Sequence, residues 1–313
     1  MALEELLAGV RAGRARSVGR LITLVEDGST ALPAIMAALA ADTGRAFVLG
    51  LTGPPGAGKS TTAAALVRQL RARGERVGVL AVDPTSPFTG GALLGDRVRM
   101  QEHALDPEVL IRSMATRGHL GGLAVAAPQA LRVFDAAGCG SVVVETVGVG
   151  QSEVDVAAVA DATVVLLAPG MGDGVQAAKA GILEIGDVFV VNKADRDGTQ
   201  ALVRDLRSMV ALAEREPAAW KPPVLTTVAS DGTGVVELLA AVDRFREHQR
   251  SSGEQARRRL GRARREVEAL ALATLRGRLR AQSGAELDVL GAAVRDGLTD
   301  PYAAAAELLR HLP

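Results

Sequence analysis

The octapeptide Gly53-Pro54-Pro55-Gly56-Ala57-Gly58-Lys59-Ser60 constrains the fold of this chain more than any other stretch. It meets the pattern G-x-x-x-x-G-K-[ST] at every fixed position, and that pattern works only where a strand delivers the loop and a helix leaves it. Both flanks are present: Phe47-Val48-Leu49-Gly50-Leu51-Thr52 is an apolar run of strand length, and Thr61 to Arg73 suits a helix. In such a loop the glycines let backbone N–H groups close around phosphates, a lysine neutralises β and γ oxygens, and a hydroxyl coordinates Mg²⁺. The expected nucleotide contacts are therefore Gly53, Pro55, Gly56, Ala57, Gly58, Lys59, Ser60 and Thr61, with a nucleoside triphosphate as ligand.

The rest of the chain supplies the sheet that this loop needs. Strands are expected at 46 to 52, 77 to 82, 109 to 113, 141 to 145, 163 to 168, 187 to 192 and 224 to 228. Several are apolar without alternation, the mark of strands covered on both faces, and helical segments separate them, so a mostly parallel α/β sheet follows. Residues 1–41 read as an N-terminal helical extension broken at Gly28-Ser29, residues 42–245 as the phosphate-loop domain, and residues 246–313 as a helical C-terminal region.

Composition narrows the partners. Thirty-six basic and thirty-six acidic residues cancel, and aromatics make up 2% of the chain. No global field recruits nucleic acid or an anionic membrane, and there is little material for stacking bases. The single cysteine, Cys139, excludes an internal disulfide framework and reads as a small core residue at a strand entrance. With no apolar run long enough to span a bilayer and no signal core, the cytoplasm is the expected compartment.

A second nucleotide signal is Asn192-Lys193-Ala194-Asp195, directly after the apolar run Val188-Phe189-Val190-Val191. Guanine presents N1–H and a 2-amino group as adjacent donors that one carboxylate, Asp195, accepts together, which adenine does not offer. This favours GTP over ATP. Asn192 is expected to tie this loop to the phosphate loop, with the Lys193 stem along the base, and Val228-Ala229-Ser230 resembles the loop that presents an N–H to the guanine carbonyl.

For metal binding and hydrolysis, Glu145 ends the run Val142-Val143-Val144, and Gly148 follows three residues on, where its N–H could meet a γ-phosphate. Mg²⁺ keeps several waters and needs few protein oxygens, so Ser60 with one or two of Asp83, Asp96 and Glu145 would suffice. A turn or helix cap would also explain Asp83 or Asp96. Val149 stands where some GTPases carry a water-orienting glutamine, so slow unaided hydrolysis is expected.

Taken together these blocks resemble the MeaB/ArgK family, the GTPases that associate with methylmalonyl-CoA mutase and related adenosylcobalamin-dependent acyl-CoA mutases. The resemblance runs from Arg20-Leu21-Ile22-Thr23-Leu24-Val25-Glu26 through the phosphate loop and the stretch Asp83 to Arg97, then through Glu145 to Glu153 and Asn192 to Asp195. It implies Asp83, Asp96 and Glu145 around Mg²⁺, switches near 84–97 and 146–153, and a third switch over 169–179 that includes Asp173, Gln176 and Lys179; Lys179, which ends that glycine-rich segment, is our own candidate to join Lys59, Glu145 and Gly148 in catalysis, a solvated helix lysine being the alternative. It further implies a G-protein chaperone that gates cobalamin loading and protects the mutase, a homodimer, and a cobalamin adenosyltransferase as a further partner.

Two other classes remain open on the residues alone. A metallochaperone GTPase would display His or Cys clusters, whereas His103, His119, His248, His311 and Cys139 are scattered. A kinase is suggested only by the phosphate loop, and Asn192 to Asp195 argues against it. The segment 244 to 280 carries twelve arginines against four glutamates. Leu260, Ala263, Val267, Leu270, Leu275 and Leu279 form an apolar stripe through it, so it reads as an amphipathic helix with a solvated basic face rather than a nucleic-acid arm. By the family resemblance it is a dimerisation arm.

Overall fold

The computed structural model describes residues 3–83, 100–115, 122–146, 152–171, 184–212, 219–282 and 284–310. Within them the chain forms two compact units, Met1–Arg262 and Ala263–Pro313.

The first unit is built on seven strands: β1 (Phe47–Thr52), β2 (Val77–Asp83), β3 (Val109–Ala115), β4 (Ser141–Thr146), β5 (Ala162–Leu167), β6 (Val188–Asn192) and β7 (Val224–Thr227). They lie in the order β3-β2-β4-β1-β5-β6-β7, and every paired neighbour is parallel. All seven strands expected from the sequence are present. Their unbroken apolar character has its cause in the layering, since β4, β5 and β6 are buried at every position.

One face of the sheet is covered by α1 (Leu3–Arg11), α2 (Ala15–Glu26), α3 (Leu32–Leu39), α5 (Gly122–Ala136) and α6 (Ser152–Val159). Leu6, Val10, Leu21, Ile22, Val25, Ile35 and Leu39 of the first three helices share one core with Leu80, Val142, Val144 and Phe134. These N-terminal helices are thus a packed layer. Arg112 of β3 holds α2 by donating from Nη2 to Thr23 Oγ1 and to Glu26 Oε2, both at 2.8 Å. The opposite face carries α4 (Lys59–Ala72) and α8 (Val235–Ser251), whose Leu66, Val67, Leu238, Val242 and Phe245 meet Leu49, Leu51, Val143 and Val190. A smaller cluster seats α7 (Thr199–Leu212) on β5 and β6.

At the strand entrances lie two buried carboxylates. Asp161 accepts from Val48 N–H at 3.0 Å, and Asp187 accepts from Thr163 N–H at 2.8 Å. The first turns of α9 (Glu254–Gln282) meet them: Arg258 pairs with Asp187 through two contacts of 3.1 and 3.2 Å, and Arg259 and Arg262 both pair with Asp161. Burial pushes the Asp187 carboxyl above the ordinary range, with the Arg258 guanidinium pulling the other way. The basic face of this segment is therefore not wholly solvated. Three of its arginines are drawn in because the sheet entrance carries two carboxylates that need counter-charges. Beside them Trp220 donates its indole N–H to Asp187 O at 2.7 Å and packs with its ring centroid 5.1 Å from that of Phe245.

The second unit holds the remainder of α9 with α10 (Gly284–Arg295) and α11 (Pro301–Arg310). Of its described hydrophobic residues only Ala304 and Leu308 are buried, while Val267, Leu270, Leu272, Leu275, Leu287, Val289 and Tyr302 are exposed in the single chain. No described helix is long and apolar enough to cross a membrane.

Candidate nucleotide site

The phosphate loop leaves β1, the central strand, at its carboxyl end, where ligands of open parallel sheets gather. Gly53, Gly56 and Gly58 all have positive φ, at 137°, 79° and 94°. Two of them have no room for a side chain either: a Cβ on Gly53 would lie 2.1 Å from Leu166 O, and one on Gly58 would lie 2.2 Å from Asn192 Nδ2. The loop is fixed by β5 and β6 as well as by its own turn. Inside it Ala57 N–H donates to Pro54 O at 3.2 Å, and Lys59, 7% exposed, donates from Nζ to Gly53 O at 2.6 Å and Pro54 O at 3.1 Å. These carbonyls aim the ammonium back across the mouth of the loop. Helix α4 then starts at Lys59 with Gly58 as a left-handed N-cap that gives no side-chain bond, the geometry of an anion-binding helix start.

Glu145 lies on β4, in register with Leu51 of β1 and Ala81 of β2. It is 3% exposed. Alternation places it on the same face as Val143, the face that α4 covers, so a buried carboxylate and the Ser60 hydroxyl share one side of the sheet. Both offer hard oxygens, a donor set that fits Mg²⁺ better than a thiophilic metal. Among the described residues no group of three His, Cys, Asp or Glu gathers to hold a metal. Asp83 is the last residue of β2. Asp96, Gly148, Asp173, Gln176 and Lys179 lie outside the described residues.

The second loop is organised by Asn192, which ends β6 at 2% exposed. Its Nδ2 donates to Ala57 O at 2.9 Å, and its Oδ1 accepts from Thr227 Oγ1 at 3.0 Å and from Ala229 N–H at 3.1 Å. The link between the two loops expected from the sequence is thus a direct hydrogen bond. Lys193, at φ 57°, is the one described non-glycine residue with positive φ. That turn sends Ala194 N–H onto Thr227 O at 3.0 Å and leaves Asp195 exposed at the rim. The third loop is closed on itself: Val228 N–H donates to Thr233 O at 3.0 Å, and a Cβ on Gly234 would come within 2.3 Å of Thr226 O. Val228 and Ala229 are both held by protein contacts.

Sequence reasoning missed Thr227, which bonds the loop after β6, and Leu166, against which the phosphate loop lies. A signal for Thr227 existed in its place just before the Val228-Ala229-Ser230 loop. For Leu166 none did, because the contact is made by its carbonyl.

The site therefore joins the phosphate loop to the loop after β6 through one amide. The sequence profile described as methylmalonyl-CoA mutase-associated GTPase MeaB matches residues 18–284. The chain belongs to the MeaB family. A Pyrococcus horikoshii protein designated a GTPase is 45% identical over 312 residues, covering 99% of this chain and 98% of its own. The GTPase ArgK of Escherichia coli is 38% identical over 258 residues, covering 80% and 78%. Among solved structures, one described as an LAO/AO transport system kinase matches with a TM-score of 0.70 at 27% identity, covering 98% of this chain and 96% of that one. A MeaB-family GTPase binds guanine nucleotide.

Proposed function

We propose that this MeaB-family GTPase is the G-protein chaperone of an adenosylcobalamin-dependent acyl-CoA mutase, using GTP binding and hydrolysis to gate cobalamin loading and protect the mutase. The observation that carries the nucleotide half is the Asn192 amide, bonded at once to Ala57 of the phosphate loop and to the loop after β7. The mutase half rests on the family match and on a mouse relative named methylmalonic aciduria type A homolog, mitochondrial, 39% identical over 216 residues.

In this reading the backbone N–H groups of Gly53 and of residues 56–61 hold the β- and γ-phosphates, and the Lys59 ammonium turns from its two loop carbonyls to the phosphate oxygens. Asp195 reads N1–H and the 2-amino group, with Lys193 along the base and the Val228-Ala229 turn near its carbonyl. Mg²⁺, when bound, neutralises charge on the β and γ oxygens; Ser60 and Glu145, with Asp83 and Asp96, would hold it directly or through water. Gly148 would present its N–H to the γ-phosphate. Asp173, Gln176 and Lys179 would transmit the mutase's effect. With Val149 in place of a water-orienting side chain, turnover alone is slow, and the second helical unit pairs two copies of the chain. A cobalamin adenosyltransferase would be a further partner, in the cytoplasm.

The test is to measure GTP turnover of the purified protein with and without a panel of adenosylcobalamin-dependent acyl-CoA mutases. One of them should raise the rate on the order of tenfold or more by ordering the switches. If none does while GTP is still hydrolysed, the chaperone reading falls and the GTPase remains.

A further inference from the structure

Thr227 stands beside Asn192 as its register partner across the parallel β6–β7 ladder. Both side chains are almost wholly buried, at 1% and 2% exposure. An asparagine amide can be turned over at little cost unless its surroundings distinguish oxygen from nitrogen. Here they do. The Ala229 N–H can only donate and holds Oδ1, and the Ala57 carbonyl can only accept and holds Nδ2, while the Thr227 hydroxyl gives Oδ1 a second donor that anchors the amide to β7. With the amide turned over, Oδ1 would face the Ala57 carbonyl, two acceptors in contact. Gly58 makes the same point from the other side, since the phosphate loop passes so close to Nδ2 that even a Cβ has no room.

We infer that the Thr227 hydroxyl is a positioning residue for the phosphate loop, acting by anchoring the Asn192 amide against the Ala57 carbonyl rather than by touching the nucleotide. The inference rests on the reading of this site as a nucleotide site and deepens it. Its consequence separates Thr227 from Asp195. Asp195 decides which base is bound, so its loss changes the ratio between nucleotides. Thr227 acts on the phosphate end that all of them share, so its loss weakens all by one factor.

The experiment measures binding and turnover of GTP and of ITP, whose base lacks the 2-amino group, for the parent, Thr227→Val, Thr227→Ser and Asp195→Asn. Leaving a buried acceptor short of one donor should weaken Thr227→Val about tenfold for GTP and for ITP alike, with the GTP-to-ITP ratio kept and the loss falling on KM rather than kcat. Thr227→Ser should recover the parent's affinity. Parental binding by Thr227→Val, a loss confined to GTP, or a serine variant as weak as the valine one would each overturn the inference. Should the valine variant fail to fold, Thr227→Ala against Thr227→Ser decides by the same comparison. An unchanged GTP-to-ITP ratio in Asp195→Asn would remove the base-reading role of Asp195 and leave the Thr227 comparison standing.

Discussion

Asn192 and Asp195 are three residues apart and stand in opposite surroundings. The amide is enclosed and its oxygen, like its nitrogen, is engaged by protein groups. The carboxylate is exposed at the rim, and the left-handed turn at Lys193 puts it there. Replacing Asp195 with Asn keeps the shape and exchanges one acceptor for a donor. It should lower GTP affinity about a hundredfold, the loss of two charge-assisted hydrogen bonds, and shift preference toward xanthine nucleotides, whose 2-position carries an acceptor. Competition between labelled GTP and xanthosine triphosphate reads this directly, and unchanged GTP affinity would refute the assignment. What could be read at this scale from sequence was the residue proposed to meet the ligand. Asp195 follows a local pattern, whereas Thr227 is 35 positions from Asn192 and reaches it only because β7 pairs with β6 in one register.

At the scale of elements, strands were legible because burial on both faces imposes an apolar run that needs no knowledge of neighbours. The pairing of α9 with the sheet entrance was not, since Arg258 meets Asp187 across 71 positions and Arg259 meets Asp161 across 98. From sequence the same arginines read as a solvated face. Removing one of them tests the difference. In Arg258→Ala, Asp187 keeps the burial that pushes its carboxyl up and loses the guanidinium that holds it down, so its folded pKa rises further. A carboxyl raised above its unfolded value costs stability wherever the pH lies above it, and the cost shrinks as pH falls through it. The variant should be less stable by about 3 kcal/mol at neutral pH, the cost of leaving a buried charge without its partner. The deficit should narrow in mildly acidic buffer, as followed by urea unfolding. A deficit equal at both pH values would show that the guanidinium matters only for packing.

At the scale of the molecule, the two units differ in self-sufficiency. The first carries three clusters of buried side chains around its sheet. The second, largely helical among its described residues, buries only Leu308 of its described leucines. A second copy of the chain is the expected cover for that apolar stripe. Ending the chain after Arg262 should convert a dimer to a monomer by light scattering while GTP affinity stays close to the parent's, because the cut leaves the Asp161 and Asp187 pairings whole. A truncated protein that still dimerises would place the interface in the first unit.

The position of Trp220 gives this molecule an unusual optical property. It is the only tryptophan in the chain, and its indole N–H is bonded to Asp187 at the foot of β6, whereas the Asn192–Asp195 loop leaves the head of that strand, about 17 Å away. Its fluorescence thus watches the seat of the long helix rather than the ligand. Any change in that emission on adding nucleotide would have crossed the sheet from one end to the other.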